Sequence, residues 1–520
     1  MMKLSDEISG EWDDSERDIR RPFIHKFKNE KYSYVYDVNT DQIIQVSPVV
    51  YDIVNDFGVL SISEMVEKYG PQYNTVEEIR KAYETIETAN REEGLFSNNH
   101  PREIRYPIDE QSLRLIYDEE LNSLCLGVTE QCNLRCTYCG FSGTYKGNRV
   151  HNSTYMSFDV ARRGLDFLKQ HSTLSDGVIL NFYGGEPLLN ASLIKQCVEY
   201  ANKIFGRKPV YFYMTTNATL LNDEICKMLI DNDFSIVVSI DGPKEMHNRY
   251  RVDRANKGSF DRIEHNLKKL QDLDLDYYKN NVKFNSVLPP PYDFEALNDF
   301  FSNFPLADVF GIRTSPVVAQ GPAFYDRFSE EELKDSKGGF ERLKAKYRQA
   351  LIGGKINHEK PDQEHKFMLA LFESPFVNSI PTMTPKNPFP EVYHPGGICI
   401  PGQRRFLLTP KGDFYTCEKS DTTSDLLRLG NLDTGMDAAK GITNIEAFSH
   451  CYDGCRYCYA SRHCGVCFVE AYSDGKFDGN YKMAGCRESQ TRFHQIIIDI
   501  MSFLEENPAA LVHLKNVTLL

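Results

Sequence analysis

The apolar positions of this chain change period along its length. Between Leu115 and about Pro316, short apolar runs alternate with stretches in which apolar residues recur every three or four positions. Leu124–Val128, Val178–Phe182, Val210–Met214, Ile236–Ile240, Val282–Val287 and Val309–Ile312 have the length and β-branched content of buried strands. Phe158–Gln170, Ser192–Phe205, Asn222–Asp231 and Phe260–Leu270 read as amphipathic helices between them. That order predicts an α/β fold, with a parallel sheet and crossover helices closing into an open or partial (β/α)6 barrel. Ligands of such folds bind at the C-terminal ends of the strands. Cys132 follows the first strand, Gly184 the second, Asn217 the third and Asp241 the fourth.

Upstream the period is different. Tyr32-Ser-Tyr-Val-Tyr and Gln42-Ile-Ile-Gln-Val are two β-rich runs, and Asp37 to Asp41 is a polar turn between them. Ser47-Pro48 opens a helix, and Ser61 with Glu64 and Thr75 with Glu78 have capping-box spacing. Two strands and three short helices predict a winged-helix-like α+β module over residues 21–114, behind a flexible polar segment, 1–20. The module either packs passively on the rest or binds something, and Tyr32–Tyr36 would suit an edge strand that receives an extended peptide. Residues 115–322 form the barrel, and 323–398 a helical bridge with a linker rich in Pro, Asn and Thr from Pro375 to Pro395. A cysteine-rich segment, 399–490, follows, and then a docking helix within 491–520 with Phe493, Ile496, Ile497 and Ile500 on one face.

Composition narrows the function. A chain of 520 residues with 41% hydrophobic and 26% charged residues has material for two to four folded domains. A net charge of −14 argues against nucleic acid as a partner. No run of about 18 apolar residues predicts a membrane span, and no signal-peptide core is present, so a cytoplasmic location is expected. The 14 cysteines exceed the needs of an ordinary cytosolic chain and fall mainly in two groups, which points to metal ligation.

The first group, Cys132-Asn-Leu-Arg-Cys136-Thr-Tyr-Cys139, has C-x3-C-x2-C spacing. Three thiolates on one loop hold three irons of a cubane and leave the fourth open. A zinc site is the alternative, but zinc wants a fourth ligand. The second group is Cys399, Cys417, Cys451, Cys455, Cys458, Cys464, Cys467 and Cys486, with Gly412 five residues before Cys417. A zinc ribbon is its alternative reading. Cys125, Cys197 and Cys226 sit in strand- or helix-like stretches and are expected to be buried. His25, His151, His247, His394, His450 and His463 receive no role.

The triplet resembles the radical S-adenosylmethionine (SAM) superfamily. There the open iron holds the amino and carboxylate groups of SAM, whose cleavage yields a 5′-deoxyadenosyl radical that takes hydrogen from carbon. Gly184-Gly185-Glu186-Pro187 looks like that family's SAM motif, with glycines that let backbone approach the ligand and a Glu186 carboxylate that accepts from the SAM ammonium. The resemblance further implies that Asn217 serves the SAM site, that Ser239 and Asp241 contact the ribose, that Arg251 pairs with the SAM carboxylate, and that Tyr138 lies beside the adenine. The later cysteines resemble the SPASM extension with two auxiliary 4Fe–4S clusters. By that likeness Cys399, Cys417 and Cys467 bind one, and Cys455, Cys458, Cys464 and Cys486 the other. Here two residues, not the usual three, separate Cys464 from Cys467. Cys451 lies outside the pattern, either as the first auxiliary cluster's fourth ligand or leaving an iron there open. The whole arrangement resembles the sactipeptide and ranthipeptide thioether synthases. That likeness implies three 4Fe–4S clusters, an external electron donor such as flavodoxin or ferredoxin, and a ribosomal precursor peptide whose leader is bound by the N-terminal module. Sulfatase maturases that form formylglycine, carbon–carbon peptide crosslinkers and a non-catalytic iron–sulfur protein are the alternatives. No catalytic base is identifiable.

Overall fold

The computed structural model describes residues 18–516 except 74, 144–148, 318–323, 359–360, 380–385 and 396–398. The expected flexible N-terminal segment lies almost wholly outside the described residues, as do the last four residues of the chain.

The N-terminal module has one strand more than the sequence predicts. Ile24–Lys28 (β1), Ser33–Asp37 (β2) and Gln42–Val46 (β3) form an antiparallel meander in that order. β1, with two lysines and a histidine in five residues, shows no apolar run. Pro48–Ile53 (α1), Ile62–Tyr69 (α2) and Val76–Glu93 (α3) follow, capped by Ser47, Ser61 and Thr75. Ser61 and Glu64 complete a reciprocal capping box, and Glu78 instead accepts from the Thr75 hydroxyl. Val35, Ile53, Met65, Ile79 and Ile86 build the module's core.

The aromatic run is not an edge. β2 is the central strand, and both of its faces are covered. Val35 points into the module, whereas Tyr34 and Tyr36 pack with Phe23 and Phe27 against Phe493 and Ile497 of the C-terminal helix. Among the described residues, β3 pairs only with β2 and forms the outer edge. The turn after β2 is equally unlike a surface turn, since Asp37, Asn39, Thr40 and Asp41 are all buried.

Glu103–Ile104 (β4) and Glu110–Glu119 (α4) lead into the barrel. Its parallel strands are Ser123–Thr129 (β5), Val178–Gly184 (β6), Val210–Thr216 (β7), Ser235–Ser239 (β8), Val282–Leu288 (β9) and Gly311–Pro316 (β10), each beside the next. Phe158–Gln170 (α5), Ala191–Phe205 (α6), Asp223–Asp231 (α7), Lys244–Tyr250 (α8), Phe260–Leu273 (α9), Leu275–Asn281 (α10) and Phe294–Asn303 (α11) connect them. Leu124, Leu180, Phe182, Met214, Val238 and Phe284 face these helices and form the main core. The last strand begins two residues later than predicted and runs on through Arg313 to Ser315, whose polar side chains hid it from the apolar pattern.

The sheet does not stop at β5. After Glu330–Ile352 (α12), Gln363–Met368 (α13) and Ser374–Ser379 (α14), the expected linker gives Val392–Tyr393 (β11), which pairs with β4. Phe406–Leu408 (β12) then adds in parallel to β5, and Asp413–Tyr415 (β13), Arg428–Asn431 (β14) and Gly435–Met436 (β15) continue antiparallel, making ten strands. Gly412 takes φ +90° in the β12–β13 turn, which explains a glycine five residues before Cys417. Ala438–His450 (α15), Tyr472–Ser473 (β16) and Lys476–Phe477 (β17) precede Gly479–Glu506 (α16). The boundary expected at residue 490 falls inside α16, which carries Cys486 and also docks the N-terminal module. Among the described residues, no helix is long and apolar enough to cross a membrane.

Candidate active site

The loop after β5, which carries the three cysteines, is tied by hydrogen bonds to the end of α8 and the residues after it. Arg135 N–H donates to Val252 O at 2.6 Å and Thr137 N–H to Tyr250 O at 3.2 Å. Backbone N–H groups of Leu134 and Phe141 donate to Cys132 Sγ and Cys139 Sγ, each at 3.4 Å. The Asn217 amide lies 4.0 Å from Cys132 Sγ. Burial pushes the Cys132 thiol up to about 12 and the Cys136 thiol to about 11, and raises Cys139 as well. Three converging thiols, reluctant to ionise alone but supplied with N–H donors, suit a cationic cluster that would draw off their protons. His151, given no role from sequence, places Nε2 3.7 Å from Cys139 Sγ and Nδ1 3.2 Å from Glu130 O.

The two glycines of the next motif line the central cavity and also fit against the backbone of the cysteine loop. Gly184 has φ +144°, and a Cβ there would sit 2.0 Å from Thr129 O. At Gly185 a Cβ would sit 2.2 Å from Gln131 O. Lacking side chains, they let the end of β6 lie against the backbone entering the cysteine loop, with Gly185 N–H donating to Thr129 O and Glu186 N–H to Gln131 O, both at 2.9 Å. Glu186 is fully buried. It accepts from Thr216 Oγ1 at 2.7 Å, Asn217 N–H at 2.7 Å and Leu188 N–H at 3.1 Å. Burial raises its carboxyl, and those donors pull the other way. Thr216 escaped the sequence reading although it adjoins Asn217.

Asp241 and Arg251 are brought together, but with each other. Arg251 Nε meets Asp241 Oδ2 at 2.8 Å, and both side chains are buried. Tyr138 OH donates to the same oxygen at 2.5 Å, and Val287 N–H to Oδ1 at 3.0 Å. The Asp241 carboxylate thus bonds Arg251, Tyr138 and the Val287 backbone within the protein. Arg251 and Tyr138, with Ser239, line the central cavity. His247 accepts from Asp241 N–H and contacts Ser259.

That cavity has a volume of about 740 Å³. One wall is the barrel mouth, with the cysteine triplet, Glu186, Asn217 and Asn285. The other comes from the cysteine-rich segment, through Lys419, Asp421, Glu470, Tyr472 and Tyr481, none of which stood out in the sequence.

The later cysteines divide in space. Cys455, Cys458, Cys464 and Cys486 line one small cavity although α16 delivers the last of them. Gln490 Nε2 donates to Cys458 Sγ at 3.2 Å. Hydrogen bonding to Cys486 lowers the Cys455 thiol to about 7, and its partner moves up. Cys417 and Cys467 are half-buried and interact electrostatically with one another, whereas Cys399 is exposed beside residues outside the described set. Cys451 donates to Phe448 O at 3.3 Å and interacts with Lys482 and Cys455. Cys125, Cys197 and Cys226 are buried.

Residues 126–302 match the model of the radical SAM superfamily, so the chain carries a radical SAM domain. The cysteine-type anaerobic sulfatase-maturating enzyme of Clostridium novyi (strain NT) is 30% identical over 165 residues, 31% of this chain and 42% of that one. The serine-type anaerobic sulfatase-maturating enzyme of Bacteroides thetaiotaomicron is 30% identical over 213 residues, 40% of this chain and 49% of that one. The chain thus spans just under half the length of these relatives. The fold resembles that of native anSMEcpe with bound AdoMet and Kp18Cys peptide, with a TM-score of 0.54 at 18% identity, over 77% of this chain and 99% of that one.

Proposed function

We propose that this chain is a radical SAM maturase that joins a cysteine sulfur of a ribosomal precursor peptide to a carbon of the same peptide. The observation that carries the reading is the central cavity, walled on one side by the cysteine triplet with Glu186 and on the other by the cysteine-rich segment. When bound, a 4Fe–4S cluster on Cys132, Cys136 and Cys139 together with SAM supplies hydrogen-atom abstraction from carbon. The protein's part is to bind and to exclude water. Glu186 offers a buried acceptor to an ammonium group. Arg251, oriented by Asp241, offers a cation to a carboxylate. Tyr138 gives an aromatic wall, and Ser239 a hydroxyl.

Two auxiliary clusters fit the remaining cysteines, with Cys455, Cys458, Cys464 and Cys486 as one set and Cys399, Cys417 and Cys467 as the other. The outer edge of β3 supports leader binding by strand addition, which would tether the core peptide near the cavity and raise its effective concentration. A flavodoxin or ferredoxin would deliver electrons. The test is coexpression with a short cysteine-containing reading frame from the genomic neighbourhood. The expected product has lost two hydrogens per crosslink, and its thiols resist alkylation. A peptide that alkylates fully at unchanged mass would overturn the reading.

The two relatives named above favour a second reading, oxidation of Cys or Ser to formylglycine. It would yield an aldehyde that reacts with a hydrazide probe. A failure to form 5′-deoxyadenosine with SAM and dithionite would overturn both.

A further inference from the structure

Three side chains from separated stretches converge. His358 follows α12, Glu373 closes a five-residue π turn, Leu369–Glu373, and His513 lies in the C-terminal 3₁₀ turn Val512–Asn516. None of the three lines the central cavity. His513 Nε2 is 2.6 Å from Glu373 Oε1, and His358 Nδ1 is 3.2 Å from the same oxygen. One donor atom from each residue lies within 4.8 Å of the others. The two imidazoles stack at 3.3 Å between centroids, tilted by 13°.

His358 Nδ1 is sealed from solvent and faces the Glu373 carboxylate oxygen at 3.2 Å without a well-aligned hydrogen bond. A sealed ring nitrogen so poorly aligned with its acceptor calls for an explanation, and a bound ion is one. The π turn that presents Glu373 is itself an uncommon device, frequent at functional sites.

We infer that His358, Glu373 and His513 form a binding site for a divalent cation, and that zinc is the ion whose chemistry they fit best. Two imidazoles and one carboxylate are borderline donors that zinc accepts readily, leaving a fourth position for water. Donors on one tetrahedral zinc stand roughly 3.3 Å apart. The His358–Glu373 pair already has that spacing, and the two imidazoles, now face to face, would turn out of their stack so that both ring lone pairs point at the ion. The ion would clasp the C-terminal turn, whose Leu511 and Leu514 are buried in the main core, onto the helical bridge beside the barrel.

The experiment uses the full chain with its iron–sulfur clusters reconstituted, dialysed against Zn²⁺ and then against metal-free buffer. Elemental analysis is expected to find roughly one zinc per chain besides the iron, with only nitrogen and oxygen neighbours near 2.0–2.1 Å in zinc-edge X-ray absorption. The His358→Ala/His513→Ala double substitution is expected to lose that zinc and keep the iron. The milder Glu373→Gln should weaken zinc retention at least tenfold and keep the fold if the double variant does not. A zinc shell containing sulfur near 2.3 Å, the distance of cysteine ligation, would overturn the inference. So would wild-type protein that retains no zinc, or zinc content unmoved by Glu373→Gln.

Discussion

Asp41→Asn would test how the N-terminal module is fastened to the rest. Asp41 sits in the turn between β2 and β3 and accepts from Tyr36 OH at 2.6 Å, His463 Nε2 at 2.8 Å and Lys386 Nζ at 2.6 Å. Next to it Arg462 donates to Val38 O at 2.6 Å and Asn39 O at 2.8 Å. The turn is thus a plug seated against the cysteine-rich segment. Asparagine is the clean substitution because Asp41 has φ +59°, a left-handed conformation that Asn tolerates and Ala does not. It removes the charge and leaves the backbone alone. Breaking a buried ion pair costs about 3–5 kcal/mol. Lys386 is 31% exposed, so solvent recovers part of that, leaving about 2–3 kcal/mol. Hydrogen exchange of β2 and β3 amides should therefore accelerate roughly 30- to 140-fold, since each 1.4 kcal/mol is tenfold.

The pH dependence has a definite sign. Burial pushes the Asp41 carboxyl up, but the bonds from His463, Lys386 and Tyr36 outweigh it and hold it below the usual carboxylate range. A depressed carboxyl contributes stability above its unfolded pKa, about 3.9, and loses it as pH falls through the folded value. Wild type and variant should converge there. Unchanged exchange in residues 24–46 at neutral pH, with the iron content intact, would refute the reasoning.

Two further outcomes follow from the site. Gly185→Ala puts a methyl 2.2 Å from Gln131 O, so the cysteine loop must shift. The iron bound at the triplet should fall by half or more while the N-terminal module keeps its exchange protection, measured by iron analysis and mass spectrometry. Glu186→Gln keeps the shape but gives up the buried anion that accepts from Thr216, Asn217 and Leu188. A charge-assisted hydrogen bond is worth about 1.5–3 kcal/mol, so equilibrium dialysis of reconstituted protein should show SAM binding about ten- to a hundredfold weaker.

The sequence by itself determined the barrel and its cysteine triplet. Both are local matters: strand and helix periods repeat within about a dozen residues, and C-x3-C-x2-C fits on one loop. Gly184 to Pro187 was legible for the same reason, although its glycines turned out to fit backbone against backbone. Tertiary structure decided everything that depends on distant partners. β1 is a strand because β2 lies beside it, not because of its own residues. The polar run Asp37 to Asp41 looks like a surface turn, and is buried because Arg462, His463 and Lys386 supply donors from more than 340 positions away. Arg251 and Asp241 stand ten residues apart, and only folding showed that each satisfies the other. His358, Glu373 and His513 have no spacing to read, since three separate segments bring them together. Burial lets a polar group persist only where a partner meets it, and the partner's address is written in the fold.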